Sequence, residues 1–362
     1  MAKAEHDPIR TGDLFAGAGG LTTGFHLASR RFAPQVAVEW DRAAAASFKK
    51  NYLDADVVSG PIEGWVRTGD IPDVDVIIGG PPCQGFSSLG KGDVNDVRNA
   101  LWRQYAEVIV KAQPKYFVVE NVARFLHSTQ FKDFLEQTEP GGLLEDYEIP
   151  EQSRGVLNAA NFGAPQSRRR MVLIGRHRDV AAVALPAATV AQNDWMTVRQ
   201  AFASIPQSVH EVALPEMWTE FENTPIRGTF QTFQLHLTRN FDGVSIKRFD
   251  AIPRDGNRFD LPDDLKAPCW IKHTTGSADV MGRLHWDRPS VTIRTEFVKP
   301  EKGRYLHPVE HRAITLREGA QLQGFPDTYK WCGSKTAIAK QIGNAVPIPL
   351  GAAIGRALLK VL

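Results

Sequence analysis

The sequence predicts an α/β protein: a mostly parallel sheet with helices on both faces, joined to a second, smaller and irregular region. Three observations predict it. Short apolar runs such as VDVIIG (74–79) and KYFVVE (115–120) have the pattern of strands buried on both sides. The first strand candidate passes through a glycine turn directly into a helix, the opening unit of a nucleotide-binding α/β fold. Side chains capable of chemistry stand where these strands end, and in open α/β sheets that edge is where ligands bind.

The first strand is read over 9–15 (IRTGDLF), followed by AGAGGL (16–21) and a helix over 22–31. Glycines let backbone approach a ligand at the amino end of that helix. Thr22 occupies the place of the third glycine of G-x-G-x-x-G, so the turn says cofactor without saying which, and a nicotinamide oxidoreductase is disfavoured. A second strand, QVAVE (35–39), ends in Glu39-Trp40-Asp41 and leads into an alanine-rich helix. A carboxylate there suits a pair of ribose hydroxyls, and Trp40 can stack on a purine or simply pack.

The next strand runs into GPPCQGFS (80–87). Cys83 stands at a strand's carboxyl end between stiffening prolines and a freeing glycine, as a nucleophile or as a small buried residue. A Gly/Ser/Asn/Asp-rich stretch over 88–97 reads as a mobile loop, and 98–113 as an amphipathic helix ended by Pro114. The strand over 115–120 ends in Glu120, a catalytic carboxylate or a helix cap, on the same sheet edge as Cys83. A strand over 147–159 and a turn over 161–166 precede Arg168, Arg169 and Arg170 at the start of a strand over 171–175. Alternation puts Arg168 and Arg170 on one face, suited to phosphate or a base carbonyl, or to a solvated edge.

Residues 180–190 read as a linker, and 193–289 as an irregular, mildly basic region with scattered phenylalanines and no assignable strands. Specificity loops usually live in such regions. Order returns with a helix capped by Thr315 and Glu318 and closed by Gly324, then a turn over 341–347 and a last helix from Pro347.

Composition sets the class. The 362 residues are 43% apolar and 23% charged, enough for sizeable cores. Three scattered cysteines, Cys83, Cys269 and Cys332, give neither a disulfide framework nor a CxxC zinc pair, so an intracellular protein without a metal is expected. No signal peptide or membrane span is expected. The net charge of +2 hides a balance of −6 over residues 1–150 and +8 over the remainder, which hints at a polyanionic partner.

In order along the chain, DLFAGAGGLTTGF (13–25), VEWD (38–41), GPPCQGFS (80–87), ENV (120–122), QSRRR (166–170), REGAQLQGFPD (317–327) and QIGNAVP (341–347) resemble the motifs of the DNA (cytosine-5) methyltransferase family. The resemblance implies a Rossmann-like S-adenosylmethionine-dependent methyltransferase fold. It implies a catalytic and cofactor-binding domain over 1–179, a target-recognition domain over 180–335, and a C-terminal segment over 336–362 that packs back on the first.

The same resemblance implies Cys83, Glu120, Arg168 and Arg170 as catalytic residues. It implies Phe15, Gly17, Gly19, Gly20, Leu21, Glu39, Trp40, Pro81, Asn344 and Val346 around S-adenosylmethionine and its product S-adenosylhomocysteine, and Gln84, Ser87 and Arg98 on DNA. Two departures stand out. No carboxylate follows the third strand at SGPI (59–62), where Asp56 or a backbone carbonyl could serve the adenine amino group. Ala345 replaces a common serine.

The chemistry follows from cytosine itself. Its carbon 5 becomes nucleophilic once a thiolate adds at carbon 6, and the base must first leave the stack. The expected partners are double-stranded DNA and a cognate restriction endonuclease acting separately. The expected protein is a cytoplasmic, nucleoid-associated monomer of bacterial type. The competing functions are a tRNA cytosine-5 methyltransferase and a catalytically inactive DNA-binding relative.

Overall fold

The computed structural model describes residues 7–82, 101–272 and 275–362. The chain divides into two compact units. The first comprises the chain through Phe162, then Arg169–Thr189 and Val346–Leu362; the second comprises Gly163–Arg168 and Val190–Ala345.

In the first unit the strands are β1 (Ile9–Leu14), β2 (Phe32–Glu39), β3 (Asp56–Ser59), β4 (Val76–Gly79), β5 (Tyr116–Val122), β6 (Tyr147–Glu148), β7 (Arg154–Asn158) and β8 (Arg169–His177). They form one sheet ordered β3-β2-β1-β4-β5-β8-β6, with β7 also on β8. Strands β1 to β5 pair parallel with one another, while β8 pairs antiparallel with β5, β6 and β7. The expected fold class is therefore observed.

Helices α1 (Gly20–Ala28), α2 (Arg42–Asn51), α3 (Ile62–Thr68), α4 (Leu101–Ala112) and α5 (Thr129–Glu136) follow the strands. Alternation along β2 separates the two faces. Val36 and Val38 join a core with Trp65, Tyr105, Ile109 and Phe134 of α3, α4 and α5, whereas Ala37 joins Phe48 of α2. Asp41 caps α2 through the Ala43 and Ala44 amides at 3.1 and 3.3 Å.

Two expectations for this unit are corrected. The single strand over 147–159 is broken by Pro150, which has no N–H for a ladder. A 3-10 turn at Glu151–Ser153 then separates β6 from β7, and the two meet different stretches of β8. The linker-like stretch after Asp179 is pinned rather than loose: the Tyr116 hydroxyl donates to the Ala181 carbonyl and the Ser153 hydroxyl to that of Val183.

The second unit holds β9 (Trp218–Phe221), β10 (Thr224–Gln231) and β11 (Lys330–Cys332) in one antiparallel sheet ordered β11-β10-β9. Its helices are α6 (Val198–Ala201), α7 (Gly243–Ala251), α8 (Pro268–Lys272), α9 (Leu316–Gln323) and α10 (Lys335–Asn344). The hairpin β9–β10 lies inside the region where the sequence assigned no strand. Its two turn residues, Glu222 and Asn223, both take positive φ, of 50° and 57°. Such a turn is usually announced by Asn-Gly or Asp-Gly, and glutamate at its first position hides it.

Helix α9 is as expected, with the reciprocal Thr315–Glu318 cap and Gly324 left-handed at φ 87°. Of the turn expected over 341–347, the first four residues are instead the last turn of α10, which Ala345 ends as its C-cap. A Cβ on Gly343 would lie 2.4 Å from the Arg294 carbonyl carbon and the Thr295 nitrogen. That glycine therefore serves helix packing within the second unit.

Between these elements, buried arginines hold irregular backbone. Arg283 donates to the carbonyls of Phe249, Ile252, His307 and Glu310 at 2.6–2.9 Å. Arg304 donates to those of Asp255, Gly256, Ala278 and Arg283 at 2.7–3.3 Å. Arg312 forks onto both oxygens of Glu318 at 2.7 and 2.8 Å. Among the described residues no helix is long and apolar enough to cross a membrane.

Helix α11 (Ile348–Leu358) returns to the first unit and crosses α1 through small residues. A Cβ on Gly24 would lie 2.6 Å from the Gly351 Cα. Gly24→Leu is therefore expected to lower the unfolding free energy by about 3 kcal/mol, read from the urea midpoint, because backbone rather than a movable side chain stands in the way.

A second expectation concerns acid. His307 Nδ1 accepts from the Val309 and Glu310 amides at 3.3 and 3.0 Å, so its proton sits on Nε2, 3.8 Å from the Glu318 carboxylate. Burial pushes the His307 pKa down to about 4. Burial alone would raise Glu318, but the Arg312 fork outweighs it and holds that carboxyl below its ordinary value. Between the ordinary histidine pKa and about 4 the unfolded chain takes up a proton that folded His307 refuses. Its contribution is thus complete above that window and lost as pH falls through it. From pH 7.5 to 4.5 the native chain should lose about 2–3 kcal/mol more than His307→Asn, a comparison that cancels the other titrating groups. Equal losses in denaturant titrations would remove His307 as the source.

Candidate active site

The strand order reverses at β1. From it the chain builds outward to β2 and β3 on one side and to β4 and β5 on the other. The crevice at the carboxyl ends of β1 and β4 is thus the topological switch point. Close approach marks it: a Cβ on Gly79 would lie 2.3 Å from the Leu14 carbonyl oxygen and 3.0 Å from the Tyr105 ring. Only glycine lets β4 end there.

On the β1 side the chain leaves the sheet through Phe15, Gly17 and Gly19, with φ of 58°, 56° and 89°. Gly19 is the N-cap of α1 and has no side-chain cap, so the amides of the helix's first turn, which begins at Gly20 and Leu21, are presented by backbone alone. Nothing lies within 4 Å of where a Cβ on Gly17 would be, which leaves an open cradle. Glu39, buried at the end of β2, accepts the Gly17 amide at 2.8 Å on one oxygen and the Asp41 amide at 2.7 Å on the other. A carboxylate accepts at both oxygens, which suits it to a pair of hydroxyl donors. Trp40 beside it is 70% exposed, a platform rather than a core residue. Gly60, whose amide donates to the Glu39 carbonyl at 3.0 Å, is likewise open at the Cβ position. An open loop, a hydroxyl acceptor and an exposed ring fit an adenosine-containing cofactor.

Asp56 does not stand in for the carboxylate absent from SGPI. It pairs with Val36 at the amino end of β3, while Ser59 pairs with Glu39 at the carboxyl end. Three residues of strand, about 10 Å, separate Asp56 from the ligand edge.

On the β4 side, Gly79 is opposite Val119, so Gly80 leaves the sheet beside Glu120, which stays in β5. A Cβ on Gly80 would lie 3.0 Å from Glu120 Oε2, and the Asn121 side chain donates to the Pro81 carbonyl at 3.0 Å. Glu120 Oε1 pairs with Arg170 Nε at 2.8 Å, both side chains mostly buried. The pairing across β5 and β8 sets this arrangement, since antiparallel register puts Val122 opposite Arg170 and Glu120 opposite Val172. Glu120 caps no helix: α5 is capped by Ser128. Cys83, Gln84, Ser87 and Arg98, with the loop expected over 88–97, lie outside the described residues.

The expectation that Arg168 shares a strand face with Arg170 is not met. Strand β8 opens at Arg169, and Arg168 belongs to the second unit. It is buried there, donating to the carbonyls of Ile293 and Gly343 at 2.7 and 3.0 Å. Gln166 is equally committed: its amide group donates to Gln323 and to the Leu322 carbonyl, and its oxygen accepts the Ile293 amide. The first unit therefore gathers Phe15, Gly17, Gly19, Gly20, Leu21, Glu39, Trp40, Pro81, Glu120 and Arg170 along the carboxyl edge of its sheet. Asn344, exposed at the end of α10, is in the second unit, and Val346 opens the return to the first.

Sequence reasoning missed Asp13, Asn121 and Gly60. A carboxylate inside the apolar strand IRTGDLF was a usable signal for Asp13; nothing in sequence announced that Asn121 would hold the Pro81 carbonyl.

Comparisons with known proteins bear on the family and the fold. The family model described as C-5 cytosine-specific DNA methylase matches residues 9–360. The Type II methyltransferase M1.HphI of Haemophilus parahaemolyticus is 33% identical, over 96% of this chain and 86% of its own length. M.XorII of Xanthomonas oryzae pv. oryzae is 32% identical, over 97% and 84%. In fold, the chain is similar to a crystal structure assigned as a prophage-encoded DNA modification methyltransferase (E. coli), with TM-score 0.71, 22% identity and coverage of 98% of this chain and 99% of that one. It is also similar to the S. pombe Dnmt2 methyltransferase, with TM-score 0.59, 16% identity and coverage of 97% and 98%. With its family motifs in order along a sheet whose strands reverse at the expected crevice, the chain belongs to the C-5 cytosine-specific DNA methylase family.

Proposed function

We propose that the protein methylates carbon 5 of a cytosine flipped out of a specific duplex DNA sequence, through a covalent bond between Cys83 and carbon 6 of the base. The observation that carries this reading is the Glu120–Arg170 pair at 2.8 Å, set against Gly80 three residues before Cys83.

S-adenosylmethionine, when bound, supplies the methyl group as an electrophile. Glu39 would hold its ribose hydroxyls, Trp40 would stack on its adenine, and the backbone from Phe15 to Leu21, with Pro81 and Val346, would line the remainder. The rest of the chemistry belongs to this chain. The Cys83 thiolate adds to carbon 6, and the electron pair displaced toward the ring makes carbon 5 nucleophilic. Glu120 hydrogen-bonds the ring nitrogen and exocyclic amine, sharing a proton as negative charge develops there. Arg170, held by Glu120, holds the base carbonyl oxygen. After methylation, loss of the carbon-5 proton expels Cys83. Arg168, whose terminal nitrogens are already committed to backbone carbonyls, acts by holding the second unit's backbone in place rather than by activating the thiolate.

Gln84, Ser87 and Arg98 would touch the DNA around the extruded base, and the second unit would read the sequence. Its exposed Trp218, with the Arg227 guanidinium 5.9 Å from the ring centre, and its basic balance suit that task. We assign it to the cytoplasm beside the nucleoid, as a monomer that modifies DNA alongside a separately acting restriction endonuclease.

Cys83→Ala should abolish transfer of labelled methyl groups to duplex DNA while leaving DNA retention in a gel-shift assay intact. An oligonucleotide carrying 5-fluorocytosine should be trapped on Cys83. Peptide mapping that finds the adduct on exposed Cys269 or buried Cys332 instead would remove Cys83 as the nucleophile. Substitution of tRNA for DNA should give no transfer.

Glu120→Gln should lower the single-turnover methylation rate by roughly 10²–10⁴-fold with cofactor affinity unchanged. Arg170→Ala should fall in the same range, and the double variant should be no slower than either alone, because the two side chains act as one unit. Additive losses would separate their roles.

A further inference from the structure

Asp13 is an unusual group to find at this edge. It lies in β1 between Ala37 of β2 and Ile78 of β4 and is 1% exposed. One oxygen meets the hydroxyl of Thr22, in the first turn of α1, at 2.5 Å. Among the described residues no cationic side chain lies within ion-pair distance of it. The titratable groups that face it are Glu39 on β2, Tyr52 just beyond α2 and Tyr105 on α4, whose hydroxyl donates to the Val118 carbonyl. Strand β4 offers it only apolar side chains. Burial raises the Asp13 carboxyl, the Thr22 hydrogen bond opposes that, and the Glu39 charge adds to it, leaving the pKa at about 7. Glu39 accepts two backbone amides, one on each oxygen.

A buried carboxyl two residues before Phe15, bonded to the helix that the glycine loop enters, carries a charge that the loop's ligand will feel. Resting on the cofactor reading above, we propose that the ionisation of Asp13 sets the preference of the glycine loop between S-adenosylmethionine and S-adenosylhomocysteine. The two ligands share every hydrogen-bonding group and differ in one methyl and in the positive charge on sulfur. The Asp13 carboxylate favours the sulfonium through a medium that screens poorly, and the neutral acid does not. Contacts common to both ligands, and any adjustment of the loop, cancel in the ratio of their dissociation constants. Asp13 is thus a selectivity residue acting through its charge, and it touches no reacting atom.

Isothermal titration calorimetry of each ligand with the full chain, from pH 5.5 to 8.5, tests this. The ratio of the two dissociation constants in the native chain is compared with that in Asp13→Asn, which cancels protons lost by the ligands themselves. The native chain should gain about 3–10-fold in preference for S-adenosylmethionine, relative to the variant, as pH rises. The midpoint should lie near 7. Thr22→Val, which removes the hydroxyl that favours the carboxylate, should move that midpoint upward. A pH-independent double ratio, or an unmoved midpoint in Thr22→Val, overturns the proposal. Failure of both ligands to bind the native chain at any pH overturns the cofactor reading with it.

Discussion

The structure depends on the reversal of strand order at β1. Because β2 and β3 lie to one side of it and β4 and β5 to the other, the loops that leave β1 and β4 diverge and open a crevice between them. Gly79 makes this possible, since any side chain there would strike the Leu14 carbonyl and the Tyr105 ring. The glycine loop with Glu39 stands on one wall and the Glu120–Arg170 pair on the other. On the proposed reading, donor and acceptor of the methyl group would be served by neighbouring strand ends of one sheet, which is how a scaffold keeps reacting groups aligned.

The second unit solves a different problem. It is poor in regular elements, so much of its backbone lacks ladder or helix partners that would satisfy its carbonyls. Buried guanidinium groups take that role. Arg283 and Arg304 each reach four or more acceptors, and Arg168 two carbonyls, while Arg312 is neutralised by Glu318. A guanidinium offers five donors in a rigid plane and can tie several chain segments at one point. A region held this way can vary its outward loops while the ties persist, which suits a surface that reads one DNA sequence.

Much of the first unit was legible in the sequence because its signals are local. Apolar runs of strand length and a glycine turn each depend on residues within a few positions of one another. The chemistry at strand ends was legible for the same reason: Glu39 and Glu120 are placed by the strands that precede them. Apart from helix α9, whose Thr315–Glu318 cap is equally local, the second unit was not legible. Its hairpin turns on Glu222-Asn223, a pair without the usual glycine, and its core rests on arginines that satisfy carbonyls tens of residues away. No periodicity records such contacts. Gly343 is a further case, since its reason lies in the backbone of Arg294 and Thr295 rather than in its own neighbourhood.

By itself the sequence determined the fold class, the order of the motifs and the family to which they belong, because each of these is written in short stretches. Only tertiary structure decided which of those motif residues share an edge. Antiparallel pairing of β8 on β5 brought Arg170 to Glu120, while burial among the carbonyls of Ile293 and Gly343 took Arg168 elsewhere. It also showed that Asp13 is buried against Thr22, where a charge is costly. Adjacent arginines and an acidic residue in a strand look alike in any sequence. Their chemistry depends on which donors and acceptors the folded chain sets beside them, and those come from far along it.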